Sequence, residues 1–520
     1  MMDFTLLLVF VLPTVGVPFV YFVGKKSAKA AAILVALIAL VNMGLVLSTV
    51  PAVVNNPDHR YTESYAWIPI LKAEFTLFVD GMSVSIAIIS LILIFAAAIF
   101  SINYMEGKKN LAVYYALLTL LSVGLVGVFI TSNLLLFYFC WELMLVPAYF
   151  IIGGWGYRDS YRAAFKFFIF THAGAVFVLL GVGSIYMVTG ATDMFAAQEA
   201  LMNFPDIAKW IVLALTAGFA VKMAIVPVHL WLPDAHSEAP ATMSALLSGV
   251  IISAGAYAVL RLSLGTVLPA IMAHDAGFAS LFLHGLSVFG VVSAFFGSLI
   301  ALVETDIKRI IAYSSIAHMG YVMFGLSLFP STPAVGGVIA ITTSLTGTVL
   351  HILNHAVSKG LFFLSAGSVM HQTEERDVRK MGGLAGKMPF TAVTSVIAAL
   401  SIAGTPPFAC FISEFLIFVG AFEVIKLDSF YIYPTALMLI ATVLSLAYSL
   451  RFTSKVFLGQ PKEAAEKKIV EGQPKEGAEK KILDVPNYMK LGMALLAVFV
   501  IILGVYPAFF IDLIKTVTFG

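Results

Sequence analysis

The chain is a succession of long apolar runs separated by short polar segments. A helix that crosses a lipid bilayer needs about 20 mostly apolar residues. The first run has no basic segment before it and no small-residue cleavage motif, so we expect a spanning helix there and not a removed signal. The eleventh and twelfth runs are too long for one straight helix, which indicates a tilt, a break or an amphipathic extension. The pattern predicts 14 spans, near 4–23, 30–50, 82–104, 112–131, 133–153, 163–188, 207–232, 241–263, 279–303, 308–329, 335–368, 389–420, 431–457 and 487–513.

Composition agrees with this pattern. Hydrophobic residues make up 60% of the 520 residues and charged residues only 12%, against about 25% charged in a typical soluble domain. The class is therefore an all-α polytopic membrane protein that contacts the lipid bilayer. A net charge of +2 gives no indication of nucleic-acid binding. Cys140 and Cys410 lie in apolar runs without a CxxC pattern, so we expect no disulfide, iron–sulfur cluster, zinc site or other cofactor.

Basic residues are concentrated in alternate loops. The positive-inside rule places such loops on the cytoplasmic side, which puts both termini outside and supports an even number of spans. Even-numbered loops have only scattered basic residues. The loop between the seventh and eighth spans, around PDAHSEAP at 233–240, has no Lys or Arg and is the exception, whereas the other loops obey the rule. The basic residues of the odd-numbered loops are Lys25, Lys26, Lys29, Lys108, Lys109, Arg158, Arg162, Lys308, Arg309, Arg376, Arg379, Lys380, Lys387 and Arg451.

A tandem repeat lies in the loop before the last span. GQPKEAAEKKIVE at 459–471 is followed directly by GQPKEGAEKKILD at 472–484. Its composition is typical of a solvated cytoplasmic linker, and a docking strap for a partner subunit is the alternative.

Two charged residues interrupt spans where lipid would otherwise surround them. Glu142 lies in FYFCWELMLVPAYF, and Lys222 lies in AGFAVKMAIVPVHLWLP. A charge at the bilayer centre costs at least about 2.5 kcal/mol, so such residues face a bundle interior or water and mark an ion path or an ion pair. Both readings, proton transport and a fixed structural pair, stay open for each residue.

Helix-breaking residues accompany the intramembrane charges. Pro227 follows Lys222 by five residues, and SIAGTPPFACFISEFLIF joins Gly404 and two prolines to Glu414. Proline kinks a helix, and the carbonyl that it frees needs water or a protein partner. Broken helices in corresponding positions indicate the ion site of transporters built from inverted repeats. These two segments are five spans apart, which favours two inverted five-helix units, spans 4–8 and 9–13.

The eleventh span contains HILNHAVSK, with His351, His355 and Lys359 at i, i+4 and i+8. These positions share one helix face, so the pattern predicts a ladder of proton-binding groups about 6 Å apart. Histidines that are merely hydrogen-bonded are the alternative. Metal binding by the two histidines lacks a third ligand of matching spacing.

Further polar residues in the spans are candidates for the same path. His318 follows Tyr313, Ser314 and Ser315 in DIKRIIAYSSIAHMGY, and it is either part of a wet path or a satisfied core histidine. His172 lies in the sixth span, and Lys166 lies near its inside edge, where its side chain can reach the interface.

Four segments resemble the antiporter-like membrane subunits of respiratory complex I, a superfamily that includes Mrp-type antiporters and membrane-bound hydrogenases. They are FCWELMLVPAYFIIG, KMAIVPVHLWLPDAHSEAPATMSALLSGV, ETDIKRIIAYSSIAHMGYV and GTPPFACFISEFLIF, and the resemblance runs over about 80–470. It implies 14 helices, inverted five-helix repeats, broken seventh and twelfth helices, and proton translocation. The resulting regions are an N-terminal three-helix region (1–110), two five-helix repeats (111–264 and 265–458), a charged cytoplasmic linker (459–485) and the C-terminal fourteenth span (486–520).

The resemblance also assigns roles to individual residues. Glu142 matches the family's glutamate on the fifth helix, and Lys222 matches the lysine on the seventh helix with which that glutamate pairs. His318 matches a central histidine. Glu414 matches the carboxylate that M-type subunits typically carry on the twelfth helix. Two departures stand out. Ser253 occupies the place of the usual M-type lysine on the eighth helix, and HILNHAVSKGLFFLSAGSV resembles the L-type and Mrp subunits. The resemblance therefore implies that the relay lysine lies at Lys359 instead of on the eighth helix. This arrangement favours a complex I relative such as an archaeal deazaflavin dehydrogenase.

The predicted function is proton translocation in the membrane arm of an NADH-, deazaflavin- or ferredoxin-dependent, quinone-type oxidoreductase. No redox centre is recognisable, so we expect the redox chemistry in a peripheral arm that this chain meets only indirectly, through other antiporter-like and small membrane subunits. The expected location is the cytoplasmic membrane of a prokaryote. Alternatives are a subunit of an Mrp-type sodium/proton antiporter, a non-pumping scaffold and a stand-alone solute transporter.

Overall fold

A computed structural model of the chain describes residues 4–330, 339–340, 342–460 and 482–519, and helices dominate it. The N-terminal part adds a hairpin whose strands pair antiparallel from Tyr61 opposite Val79 to Ile68 opposite Ala73. Its elements are α1 (Thr5–Lys26), α2 (Ala28–Ser48), α3 (Val50–Asn55), β1 (Tyr61–Ile68), β2 (Ala73–Val79), α4 (Gly81–Tyr104) and α5 (Leu111–Phe129).

The middle of the chain contains several short helices, because its spans are interrupted. Two π-helical segments, Leu247–Ile251 and Val259–Val267, join α12, α13 and α14 into one rod, Ala241–Met272. The helices are α6 (Leu134–Leu143), α7 (Leu145–Trp155), α8 (Ser160–Thr189), α9 (Met194–Leu201), α10 (Pro205–Met223), α11 (Leu232–Glu238), α12 (Ala241–Leu246), α13 (Ile252–Ala258) and α14 (Leu268–Met272).

The last part holds the longest helix and ends on a strand that pairs with the segment before that helix. Short 3₁₀ turns occur at Pro69–Leu71, Leu384–Gly386 and Ser429–Tyr431. The elements are α15 (Ala276–Val303), α16 (Ile307–Ser327), β3 (Ile339–Ala340), α17 (Thr343–Thr373), α18 (Pro389–Ile402), α19 (Ala409–Ile425), α20 (Ile432–Phe457), α21 (Asn487–Val505), α22 (Ala508–Lys515) and β4 (Thr518–Phe519).

Eleven helices in the described part of the chain are long and apolar enough to cross a membrane. The other three predicted spans, the seventh, eleventh and twelfth, are helical but fall outside this set. These three spans contain Lys222, the HILNHAVSK motif and Glu414. They fall outside the set because intramembrane polar groups lower the mean hydropathy and helix breaks shorten the helices. The start of the predicted eleventh span and nearly all of the tandem repeat lie outside the described residues.

The polarity of this protein is inverted relative to a soluble domain. Large apolar side chains are exposed on the outer helices, as at Phe22 (63%) of α1, Leu180 (57%) of α8 and Val443 (64%) of α20. Histidine and lysine side chains are buried at the centre. Lipid or partner helices can cover such a surface, which agrees with a membrane location.

α17 forms the centre of the second half. It has 31 residues, about 46 Å at 1.5 Å per residue, and contacts α16, α18 and α19. Nearly every side chain on it is buried. α17 is continuous, so the break that the length of the eleventh run allowed is not present between Thr343 and Thr373.

The expected breaks of the seventh and twelfth spans are present. α10 ends at Met223 because Ala224 adopts a left-handed conformation (φ 57°), and irregular backbone follows before α11 begins at Leu232. α18 and α19 are separated by Gly404, with φ 64°, and two prolines. An interruption that the sequence reasoning missed divides the fifth span into α6 and α7 at Met144. Pro147 has no N–H to bond the carbonyl four residues earlier, that of Leu143.

Candidate proton-transfer site

The predicted site residues fall into two groups. The first surrounds Lys222, at the C-terminal end of α10, and includes Glu142 on α6. The second surrounds His318 on α16 and joins it to α17 and Glu414 on α19. Both groups lie next to a helix break, where backbone carbonyls are free to bond side chains.

Lys222 is almost fully buried, and its contacts differ from the expected ones. Its ammonium donates to the carbonyl oxygen of Trp141, at 3.0 Å, and lies 3.8 Å from the centre of the Trp141 ring. The negative end of the α10 dipole also favours a cation in its last turn. A carbonyl, an aromatic face and a helix terminus therefore stabilise the charge on this lysine.

The resemblance implied that Glu142 pairs with Lys222, and the structure corrects this expectation. Glu142 Oε2 lies 3.1 Å from Nδ1 of His172 on α8. Within the described part of the chain, no carboxylate oxygen lies within 4.0 Å of the Lys222 ammonium. Successive residues of a helix point about 100° apart, so Trp141 meets α10 while its neighbour Glu142 turns toward α8.

Glu142 is a quarter exposed and His172 is half exposed, so this pair opens to the outer surface of the bundle. The second carboxylate oxygen, Oε1, is buried and has no hydrogen-bond partner among the described residues. Sequence reasoning gave His172 only as a further candidate and did not pair it with Glu142. Its position in the apolar run FKFFIFTH was the available signal.

The second group is built from side chains of four helices. Nδ1 of His318 lies 3.1 Å from Nε2 of His351, and 4.0 Å from Oε1 of Glu414. The outward nitrogens have partners as well, since Nε2 of His318 bonds the Tyr448 hydroxyl at 3.2 Å and Nδ1 of His351 bonds Ser413 Oγ at 3.0 Å. The two imidazoles are thus held at both ends and face each other.

The shared helix face on α17 is present. His351 and His355 are adjacent rings, with centroids 6.4 Å apart. Lys359, one turn further on, donates to Ser314 Oγ and to the carbonyl of Ile311 on α16, the helix that also carries His318. His355 lies 5.6 Å from the His318 ring, measured between centroids, and neither of its nitrogens has a hydrogen-bond partner in the described structure.

The carboxylate of Glu414 is fitted to the break before its helix. A Cβ atom added at Gly404 would lie 2.4 Å from Glu414 Oε2. Oε1 on the other side is buried and unpartnered among the described residues. The carboxylate can therefore take up a cation from the His318–His351 side.

Several polar residues that sequence reasoning did not assign are buried between the helices. Lys308 was counted as a loop charge, but it is fully buried and donates to the Ala239 carbonyl at 2.5 Å. His236 is buried against the Phe363 ring, and both of its nitrogens are unpartnered within the described residues. The Ser253 hydroxyl donates to the Gly249 carbonyl of its own helix, at 2.8 Å.

An ion-pair network joins the start of α8 and α11 to the start of α16. Lys166 reaches Asp234 at 2.6 Å, and Asp234 also accepts from Arg309 at 2.8 Å. Burial favours the protonated form of Asp234, but these two cations hold the pKa of its carboxyl below the usual value. The network borders a cavity of about 390 Å³, which Arg162 and Glu238 also line.

Comparison with known proteins agrees with this architecture. The family described as "NADH:quinone oxidoreductase/Mrp antiporter, TM" matches residues 131–441. NADH-quinone oxidoreductase subunit M of Rickettsia felis is 32% identical over 511 residues, which is 97% of this chain and 96% of the relative. F(420)H(2) dehydrogenase subunit M of Methanosarcina mazei is 30% identical over 462 residues, covering 87% and 85%.

A solved structure supports the fold. A chain of respiratory complex I from Thermus thermophilus with bound NADH has a TM-score of 0.79 and 23% identity to this chain, with 98% of this chain and 97% of the other covered. The family match, the two relatives and the buried ionisable groups at broken helices lead to one conclusion. The chain belongs to the family of NADH:quinone oxidoreductase/Mrp antiporter membrane subunits.

Proposed function

We propose that this chain translocates protons as a membrane-arm subunit of a complex I-type oxidoreductase. The observation that carries the proposal is the contact of His318 with His351, next to Glu414, inside an apolar helical bundle. Imidazole and carboxylate groups exchange protons, and ionisable groups inside a membrane protein mark ion paths.

The first group is the input of the proposed cycle. The Glu142–His172 pair is open to the bundle surface, where a charge change in a neighbouring subunit can reach it. A carboxylate about 4 Å from an ammonium stabilises its charge by about 4 kcal/mol at an effective dielectric of 20. Movement of Glu142 toward Lys222 would therefore hold a proton on the lysine, and its return to His172 would release that proton.

The second group receives the proton in this cycle. Lys359 and His355 lie on the same face of α17 as His351, so they extend the ladder toward α16. Glu414 is the terminal acceptor, since its carboxylate is the part of the group nearest to the outside of the bundle and to the helix break. Release from Glu414 to the outer side completes one transfer.

The proposed architecture comprises 14 spans with inverted repeats at 111–264 and 265–458, flanked by 1–110, the linker 459–485 and 486–520. The breaks after Lys222 and before Glu414, in segments that the sequence places five spans apart, support this division. Both termini face outward, in the cytoplasmic membrane of a prokaryote. The partners are other antiporter-like and small membrane subunits, with the redox arm coupled through them.

Reconstitution of the complete enzyme in proteoliposomes tests the proposal. NADH and reduced F420 are the electron donors to compare, since the two relatives are named for them. We expect Lys222→Ala and Glu414→Gln to lower the number of protons moved per electron. The control is Lys209→Gln, which removes a cation that pairs with Asp275 near the surface. Full pumping by both variants would support a non-pumping scaffold and contradict the proposal.

A sodium/proton antiporter of Mrp type is the second candidate, because the matching family includes Mrp subunits. The two nitrogen donors of the second group favour protons over Na⁺, which prefers oxygen ligands. Transport measured with and without Na⁺ in the same proteoliposomes separates the two functions. Sodium-dependent proton movement without an electron donor would favour the antiporter.

A further inference from the structure

The hydrogen bonds around the second group fix where its ring protons lie. The Ser413 hydroxyl donates to the Cys410 carbonyl at 2.9 Å, so its oxygen accepts from Nδ1–H of His351. The Tyr448 hydroxyl donates to Ser445 Oγ at 3.2 Å, so it accepts from Nε2–H of His318. A neutral imidazole carries one N–H, so the inward nitrogens of both rings present lone pairs.

Three acceptors therefore converge on one point. The lone pairs of His318 Nδ1 and His351 Nε2 face each other at 3.1 Å. Oε1 of Glu414, which has no hydrogen-bond partner among the described residues, lies 4.0 Å from the first nitrogen. The three ligand atoms all lie within 4.8 Å of one another. Three facing acceptors repel one another unless a proton or a metal ion lies between them.

We propose that His318, His351 and Glu414 form a binding site for a divalent transition-metal ion such as Zn²⁺. Zinc binds imidazole nitrogen at about 2.0–2.1 Å, which places two nitrogens of one tetrahedral site about 3.3 Å apart. The observed 3.1 Å separation is close to this value. Two histidines and one glutamate, with a water molecule as fourth ligand, are a known zinc ligand set.

The environment of the rings matches a metal site in a second respect. Histidines that ligate metals donate their other N–H to an oxygen atom, which orients the ring. Ser413 does this for His351, and Tyr448 does it for His318. Two imidazoles select against Na⁺, Mg²⁺ and Ca²⁺, which prefer oxygen ligands.

A metal ion at this point would occupy the acceptors that the proposed proton path uses. We expect Zn²⁺ to inhibit proton translocation for this reason. The inhibition rests on the proposed function, whereas binding of the metal does not. The two parts are therefore measured separately.

Binding is tested on the complete, chelator-treated complex in detergent, with Zn²⁺ alone as the probe. The ligand variants are His318→Gln, His351→Gln and Glu414→Gln, and each is expected to bind one fewer Zn²⁺ per complex than the wild type. His355→Gln is the matched control, because this buried neighbouring histidine lies outside the ligand set. Zinc K-edge X-ray absorption should show a signal from two imidazoles that the ligand variants lose.

Ser413→Ala retains all three ligands and tests the site if a ligand variant does not assemble. Loss of the oxygen that orients His351 is expected to weaken zinc binding 10- to 100-fold. Equal zinc stoichiometry and affinity in the wild type, the ligand variants and Ser413→Ala would overturn the proposed site. Zinc binding at His318, His351 and Glu414 without slower proton translocation would support the metal site and contradict the proposed proton path.

Discussion

The carboxylate of Glu414 occupies space that Gly404 leaves free. Gly404 has a positive φ of 64°, and a Cβ atom there would lie 2.4 Å from Glu414 Oε2. The break between α18 and α19 therefore also leaves room for the Glu414 carboxylate beside the two histidines.

Gly404→Ala should displace this carboxylate and slow proton translocation. A non-glycine residue with left-handed backbone also costs roughly 1–2 kcal/mol, which needs its own control. Gly190→Ala provides it, because Gly190 has φ 71° and no atom of the described residues lies within 4 Å of an added Cβ. We expect pumping per electron to fall in the first variant and not in the second. Equal pumping in both variants would show that the position of Glu414 does not depend on Gly404.

Removal of the indole beside Lys222 should impair the same process. Trp141→Leu keeps the carbonyl that accepts from Lys222 but removes a cation–π contact, worth about 2 kcal/mol when desolvated. Trp141→Phe retains an aromatic face and should have the smaller effect. Trp210→Leu, at an exposed position on the same helix as Lys222, is the control. Proton uptake into proteoliposomes measures all three, and identical rates would argue against a role for the ring.

Glu142 and His172 should act as a unit. Each single variant, Glu142→Gln and His172→Gln, is expected to slow proton translocation, because each breaks the same pair. Residues in direct contact have non-additive effects. The double variant should therefore be no slower than the slower single variant. Rates that multiply across the two substitutions would indicate that the residues work independently.

The buried pair of Asp80 and Arg261 should stabilise the fold, and it offers a test outside the proposed path. Arg261 Nη2 lies 2.5 Å from Asp80 Oδ2, and both side chains are at most 4% exposed. Removal of one partner leaves a buried charge uncompensated, which costs about 3–5 kcal/mol. Asp80→Ala should lower the thermal unfolding temperature of the purified complex clearly. Lys209→Gln breaks a more exposed pair with Asp275 but leaves Asp275 as the N-cap of α15, so it should lower the unfolding temperature far less. Equal shifts for both variants would contradict this view of Asp80.

Part of the site could be predicted because its signals are local. The spacing of His351, His355 and Lys359 places them on one face of a helix wherever that helix lies. Glycine and proline next to Glu414, and proline after Lys222, indicated the two helix breaks. The break at Met144 had the same kind of signal in Pro147, which the sequence reasoning did not use.

The sequence by itself determined the membrane class, the helices and the segments that carry charge, because hydropathy and helix period depend only on neighbouring residues. Tertiary structure alone decided the partners. Trp141 instead of Glu142 meets Lys222, Lys308 is buried, and Ser413 and Tyr448 orient the two histidines. These contacts join residues far apart in the chain. They depend on which faces of the helices pack together, and a pattern along one helix does not contain that information.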